Sequence, residues 1–274
     1  MNLLKSIGNT PLIKLSKIVP QSSAEVWIKY EGNNPTGSYK DRMALGVITA
    51  AMERGDLKVG DRICEYTGGS TGTAIAFVAS ILGLKFTAVT SNVFSPSKLQ
   101  SIRAYGADLV LIESSDGKLN PELFKKMKET VQEISTRDGA YYFDQFGSPD
   151  IRPSYKAIGS EIVDQLDGNV DAYCAAVGTG GTLMGAIDGF KSKGMTPDFY
   201  ALEPLQAPVL TTGKGGSHMV EGIALGFFPP SLELDQIKEA RAIDQEKGFQ
   251  MCRRLAKEEG ILAGGSTGLN VVAA

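Results

Sequence analysis

The sequence predicts an α/β fold built on a mainly parallel sheet flanked by helices, and three observations carry that reading. Short β-branched or apolar runs alternate with longer segments of helical period. Several helical segments open directly after a turn rich in glycine, serine or threonine, as after Thr67-Gly68-Gly69-Ser70-Thr71-Gly72 and Gly178-Thr179-Gly180-Gly181-Thr182. The 274 residues are enough, at about 100–200 residues per domain, for one large domain or two modest ones.

Taken in order, a strand is expected at 25–30 (EVWIKY), where apolar residues recur among polar ones, and a helix at 41–54 follows the turn-rich stretch before it. Strands at 62–66 (RICEY), 85–90 (KFTAVT) and 108–112 (DLVLI) are then separated by helices at 71–82 and 96–105, with a further helix at 121–136. A strand at 141–143 (YYF), a helix at 154–166, a strand at 172–177 (AYCAAV), a helix at 182–191 and a strand at 199–202 (FYAL) complete the alternation. No internal repeat, low-complexity tract or long linker interrupts it, so a second domain has to form by the chain leaving one sheet and returning to it.

Composition narrows the function. Hydrophobic residues make up 42%, charged residues 22%, and the net charge is −3, so no basic field exists to hold nucleic acid or an acidic membrane surface. No segment approaches the roughly 20 apolar residues of a membrane span, and the opening residues lack a secretory pattern, so a cytoplasmic setting is expected. Cys64, Cys174 and Cys252 are odd in number and far apart, which reads as buried free thiols. His218 is the single histidine; that argues against a Ser-His-Asp hydrolase and against histidine-based metal clusters, and no metal is expected.

Four stretches can carry chemistry. In Asn34-Pro35-Thr36-Gly37-Ser38-Tyr39-Lys40-Asp41-Arg42 a lysine stands at the start of a helix. The positive helix end, with partial burial, favours the neutral amine that Schiff-base chemistry requires. The same residues also suit a solvated lysine in a capping turn. Gly178, Thr179, Gly180, Gly181 and Thr182 join a strand to a helix in the manner of a phosphate cradle, with close backbone approach, free amides and a favourable helix dipole. Leu183 stands where a dinucleotide fingerprint has its third glycine, and no Gly-Lys-Ser/Thr closes a P-loop. A tight strand-to-helix turn explains the glycines equally well. The loop from Thr67 to Gly72 offers amides and hydroxyls but no charge, which suits a carboxylate; Ser70 or Thr71 as a plain N-cap is the alternative. Gly264-Gly265-Ser266-Thr267-Gly268 reads as a helix cap or as a hydroxyl pair facing a ligand.

Together these segments resemble the fold-type II pyridoxal-phosphate family that includes cysteine synthase (O-acetylserine sulfhydrylase) and cystathionine β-synthase. The resemblance runs from end to end, through Ile7-Gly8-Asn9-Thr10-Pro11-Leu12, Asn34 to Arg42, Ser97-Lys98-Leu99-Gln100, Ala104-Tyr105-Gly106-Ala107, Gln145-Phe146, Gly178 to Thr182, Glu221-Gly222-Ile223 and Gly264 to Gly268. It implies two domains, each an open twisted mainly parallel sheet flanked by helices, with pyridoxal 5'-phosphate in the cleft between them. Residues 1–36 and 147–274 would form the large cofactor-binding domain and 37–146 a smaller, mobile substrate-binding one. Lys40 would carry the cofactor as an internal aldimine, Gly178 to Thr182 would hold its phosphate, Ser266 would meet the pyridine nitrogen and Ser70 the ring hydroxyl. Thr67, Gly68, Gly69, Thr71, Gln145 and Gly222 would bind the substrate, and a homodimer is the implied assembly.

The chain departs from that pattern in two places. The family loop commonly reads Thr-Ser-Gly-Asn-Thr-Gly, whereas here Gly68 replaces the serine and Ser70 the asparagine, a shorter group with one donor in place of two. The last residues stop inside an expected helix where relatives continue, so truncation is an expectation too. The implied reaction is β-replacement on a β-activated serine such as O-acetylserine, through an α-aminoacrylate, with a small nucleophile, sulfide, giving cysteine. Cystathionine-type replacement, β-elimination by a dehydratase or desulfhydrase, racemisation, and a non-catalytic regulatory homologue stand beside it.

Overall fold

A computed structural model describes residues 2–114, 117, 120–224 and 226–274. The chain divides into two units, Met1–Gly8 with Gly32–Ser154, and Asn9–Glu31 with Tyr155–Ala274. Strands β1 (Leu12–Lys14) and β2 (Trp27–Lys29) pair antiparallel, with Leu12 opposite Lys29, and belong to the second unit.

The first unit runs α1 (Lys40–Arg54), β3 (Arg62–Tyr66), α2 (Ser70–Leu82), β4 (Lys85–Ser91), α3 (Pro96–Ala104), β5 (Asp108–Ile112), α4 (Pro121–Asp138), β6 (Tyr141–Tyr142) and α5 (Ile151–Ser154). Its sheet has the order β5-β4-β3-β6 with every neighbour parallel. Parallel strands covered on both faces carry continuous apolar runs, and β4 is buried from Phe86 to Ser91. Helix α4 lays Leu123, Met127, Val131 and Ile134 against Cys64, Tyr66 and Val89 of the sheet. At helical spacing these four form one stripe, and burying each contributes about 1.5–3 kcal/mol. Asn120 caps α4 by accepting the Leu123 amide at 2.8 Å, and left-handed Gly55, Gly83 and Gly139 end α1, α2 and α4.

The second unit continues with α6 (Lys156–Gln165), β7 (Ala172–Ala176), α7 (Gly181–Ser192), β8 (Asp198–Pro204), α8 (Val209–Thr212), β9 (Glu239–Ile243), α9 (Gln245–Arg254), a π-helical turn (Leu255–Glu259) and α10 (Gly265–Ala273). Strands β7, β8 and β9 form a parallel sheet in that order. Helices α6 and α7 approach so closely that a Cβ on Gly159 would lie 2.0 Å from the Ala186 carbonyl oxygen, so glycine is required there. The β1–β2 hairpin is tied down twice. Lys29 pairs with Glu161 of α6 at 2.7 Å, and the Glu259 carboxylate accepts the amides of Ser16, Lys17 and Ile18.

Two expectations need correction, and one strand was not anticipated. The helix expected at 154–166 is two pieces, α5 and α6, separated by the fully buried Tyr155. Strand β9 (EARAI) alternates charged with apolar residues because it is a sheet edge with one side facing water. All three cysteines are free, but only Cys64 is buried, while Cys174 and Cys252 are half-buried.

Candidate active site

Lys40 is the first residue of α1 and only 9% exposed, so it is not a solvated lysine in a capping turn. The segment before it is pinned locally. Gly37 takes the left-handed conformation and donates its amide to the Asn34 carbonyl at 2.8 Å, while the Asn34 side chain accepts the Gly8 amide at 2.9 Å. This contact joins the opening Ile7-Gly8 motif to the lysine segment. The buried Asp41 carboxylate accepts the Thr36 amide at 2.8 Å and the Thr36 hydroxyl. The turn is thereby locked one residue away from the lysine. Lys40 Nζ lies 4.8 Å from the centroid of the Tyr39 ring, a cation–π geometry.

The loop after β3 shows what its hydroxyls do. Helix α2 begins at Ser70 with Gly69 as N-cap and no side-chain capping bond, so neither Ser70 nor Thr71 serves as a plain cap. Ser70 makes no side-chain hydrogen bond among the described residues. Thr67 Oγ1 accepts the Gly72 amide at 3.1 Å, and Thr71 Oγ1 donates to Gln145 Oε1 at 2.9 Å. Gln145 Nε2 donates to the Tyr66 carbonyl at 3.2 Å, closing a ring of contacts between the β3–α2 loop and the chain after β6. The first amides of α2 have no intrahelical acceptor, which suits an anion at this loop.

Two residues that sequence reasoning missed shape the same loop. Glu65, 0% exposed, accepts the Tyr66 amide at 2.9 Å and the Gln145 amide at 3.0 Å. Burial pushes its carboxyl up to about 8 even though both amides pull the other way. The signal was an acid set among the buried Ile63, Cys64 and Tyr66 of β3. Phe94 fills the space beside Gly68, where an added Cβ would lie 2.0 Å from the ring. Nothing in the local sequence signals that contact.

In the second unit the turn from β7 into α7 is lined by glycines for steric reasons. A Cβ on Gly178 would sit 2.5 Å from the Gly222 carbonyl oxygen, and Gly180, the left-handed N-cap of α7, would place one 2.6 Å from Ser231 Oγ. Ser231, also missed from sequence, donates to the Thr179 carbonyl at 2.5 Å and braces the turn. Its place, distant in sequence, gave no cue. The Ala224 amide donates to the Val177 carbonyl at 3.0 Å, so the Gly222 segment lies along the turn. The amides of Gly181, Thr182 and Leu183 open α7 without intrahelical acceptors. This is a cradle that side chains would fill, and its donor set fits a phosphate.

Ser266 is the second residue of α10, whose N-cap is Gly264 without a side-chain bond, so Ser266 is not the cap. Among the described residues no hydrogen bond joins it to the 178–182 turn. The structure therefore brings Thr67, Gly68, Gly69, Ser70, Thr71 and Gln145 together in the first unit, which also holds Lys40. It brings Gly178, Thr179, Gly180, Gly181, Thr182 and Gly222 together in the second, which also holds Ser266.

Comparison with known proteins adds independent findings. The family model described as pyridoxal-phosphate dependent enzyme matches residues 3–274. The chain is 37% identical over 276 residues to the cysteine synthase of Staphylococcus aureus (strain Mu50 / ATCC 700699), covering 100% of this chain and 87% of that one. The crystal structure of O-ureido-L-serine synthase superposes with a TM-score of 0.92 at 34% identity, covering 100% of this chain and 85% of the other. That of cysteine synthase (OASS) from Entamoeba histolytica gives 0.91 at 30% identity, covering 99% and 80%.

Proposed function

The chain belongs to the pyridoxal-phosphate dependent enzyme family, and from that membership we infer that it is a cysteine synthase, exchanging the β-substituent of an activated serine for sulfide. With O-acetylserine the balance is substrate plus sulfide giving cysteine plus acetate. The observation that carries the reading is Lys40, a lysine buried at the first turn of a helix, inside a segment locked by Asp41 and Thr36. Identity of 37% to a cysteine synthase along the whole chain supports the same activity.

Pyridoxal phosphate supplies an electron sink for the substrate's Cα. Each residue then has a task. Lys40 would hold the cofactor through Nζ, and the same amine would be placed to move the proton at the substrate's Cα. The amides of the 178–182 turn and the hydroxyls of Thr179 and Thr182 hold the phosphate. Ser266 offers one neutral hydrogen bond to the pyridine nitrogen, and Ser70 one to the ring hydroxyl. Thr67, Gly68, Gly69, Thr71, Gln145 and Gly222 bind the substrate, with residues 37–146 as the substrate-binding domain and 1–36 with 147–274 as the cofactor-binding one. The Thr71–Gln145 pair, at 2.9 Å, presents adjoining polar groups suited to a carboxylate.

We place this activity in a cytoplasmic homodimer; free thiols at Cys64, Cys174 and Cys252 accord with a reducing setting. Product analysis tests the function. Purified, cofactor-loaded protein given O-acetylserine and sulfide should release cysteine and acetate in equal amounts, with little pyruvate. Pyruvate as the main product would make the chain an eliminase, and no turnover of any β-substituted amino acid would make it a non-catalytic homologue.

A further inference from the structure

We propose that Glu65 is a positioning residue for the substrate carboxylate, holding the backbone of Gln145 from inside the sheet and so setting where the Thr71–Gln145 pair stands. The inference rests on the reading that Thr71 and Gln145 bind that carboxylate. Glu65 is fully buried in β3, and no lysine or arginine pairs with it among the described residues. The titratable groups that face it are Cys64 and Tyr66 of β3, Tyr142 of β6 and Asp144 in the turn that follows.

A buried carboxyl without a counter-ion is unfavourable, and an apolar residue of similar volume would fill the same space without that penalty. What Glu65 provides instead is two acceptors. One takes the amide of its neighbour Tyr66 at 2.9 Å, and the other reaches across to the Gln145 amide at 3.0 Å. Gln145 is then fixed at both ends, its backbone by Glu65 and its side chain by Tyr66 and Thr71. Without the backbone bond, the pair keeps its side-chain contacts to Tyr66 and Thr71 but loses the one that sets the Gln145 backbone. Glu65 offers no free atom to a substrate in this arrangement, so its effect falls on binding shared by ground and transition states.

Two substitutions in the cofactor-loaded protein grade the effect. Glu65→Met fills the volume with no acceptor. Glu65→Gln keeps one acceptor and, however it turns, sets its amide NH2 against a backbone N–H. With O-acetylserine, Glu65→Met should raise KM at least about fivefold and Glu65→Gln less, with kcat within about twofold of native. Amide exchange at Gln145 should quicken in Glu65→Met, while the Thr67 amide, bonded to the Val89 carbonyl at 2.8 Å, keeps its rate. Should the methionine variant fail to fold, the glutamine variant carries the same comparison. Gln145→Ala separates the two layers of the argument. If it leaves KM unchanged, the carboxylate reading falls and the proposal with it. If it raises KM while both Glu65 variants keep native KM and native exchange at Gln145, the role of Glu65 alone is overturned. A loss in kcat at native KM would equally overturn it.

Discussion

The ring of Phe94 occupies the place a side chain at position 68 would need: a Cβ on Gly68 would lie 2.0 Å from the Phe94 Cγ and Cδ2 atoms. The glycine that stands here in place of the family serine thus faces a ring that leaves no room for a Cβ. Gly68→Ser should lower stability by about 1–3 kcal/mol, the usual range for overpacking. In a Phe94→Ala background the same substitution should lose most of that penalty, giving a clear coupling in a double-mutant cycle read by chemical denaturation. Equal penalties in both backgrounds would mean that the ring moves aside freely.

Cofactor retention should depend on the shape of the α7 turn. Gly180→Val demands a left-handed backbone of a β-branched residue and drives its Cβ toward Ser231 Oγ, 2.6 Å away. After dialysis this variant should retain far less pyridoxal phosphate than a Thr196→Val control on an exposed loop, as measured by absorbance against protein concentration. Equal retention would remove the turn from the cofactor site.

Glu65 also makes stability depend on pH. Its carboxyl goes from the ordinary 4.5 to about 8 on folding, so between those values the folded chain holds a proton that the unfolded chain has released. Stability attributable to this group is therefore complete below about pH 4.5, declines as pH rises toward 8, and levels off beyond, with a slope of up to about 1.4 kcal/mol per pH unit. Urea denaturation across pH 5 to 9 should show a decline that is flatter in Glu65→Gln; identical slopes in both proteins would mean the carboxyl ionises at its ordinary value.

Much of this architecture was legible because it is local. β3 and β5 fall where their apolar runs stand, at Arg62–Tyr66 and Asp108–Ile112, and α1, α2 and α7 open after the turns that announced them. β9 escaped because its Arg241 serves an edge, stacking 4.4 Å from the centroid of the Tyr200 ring, and so interrupts what would otherwise read as an apolar run. At the site, Lys40 and the glycine turns were readable from residue types in fixed order. Glu65 was not, since its partner Gln145 lies 80 positions further along the chain. Phe94 was not either, because a glycine's missing side chain does not say what fills its place.

Attachment of the cofactor to Lys40, as proposed, is read out by peptide mapping. Cofactor-loaded protein is reduced with borohydride, digested and sequenced by mass spectrometry. The expected result is a single pyridoxyl adduct on the peptide containing Lys40, absent from Lys40→Ala. An adduct on a different lysine, or none on protein shown to be loaded, would contradict the account.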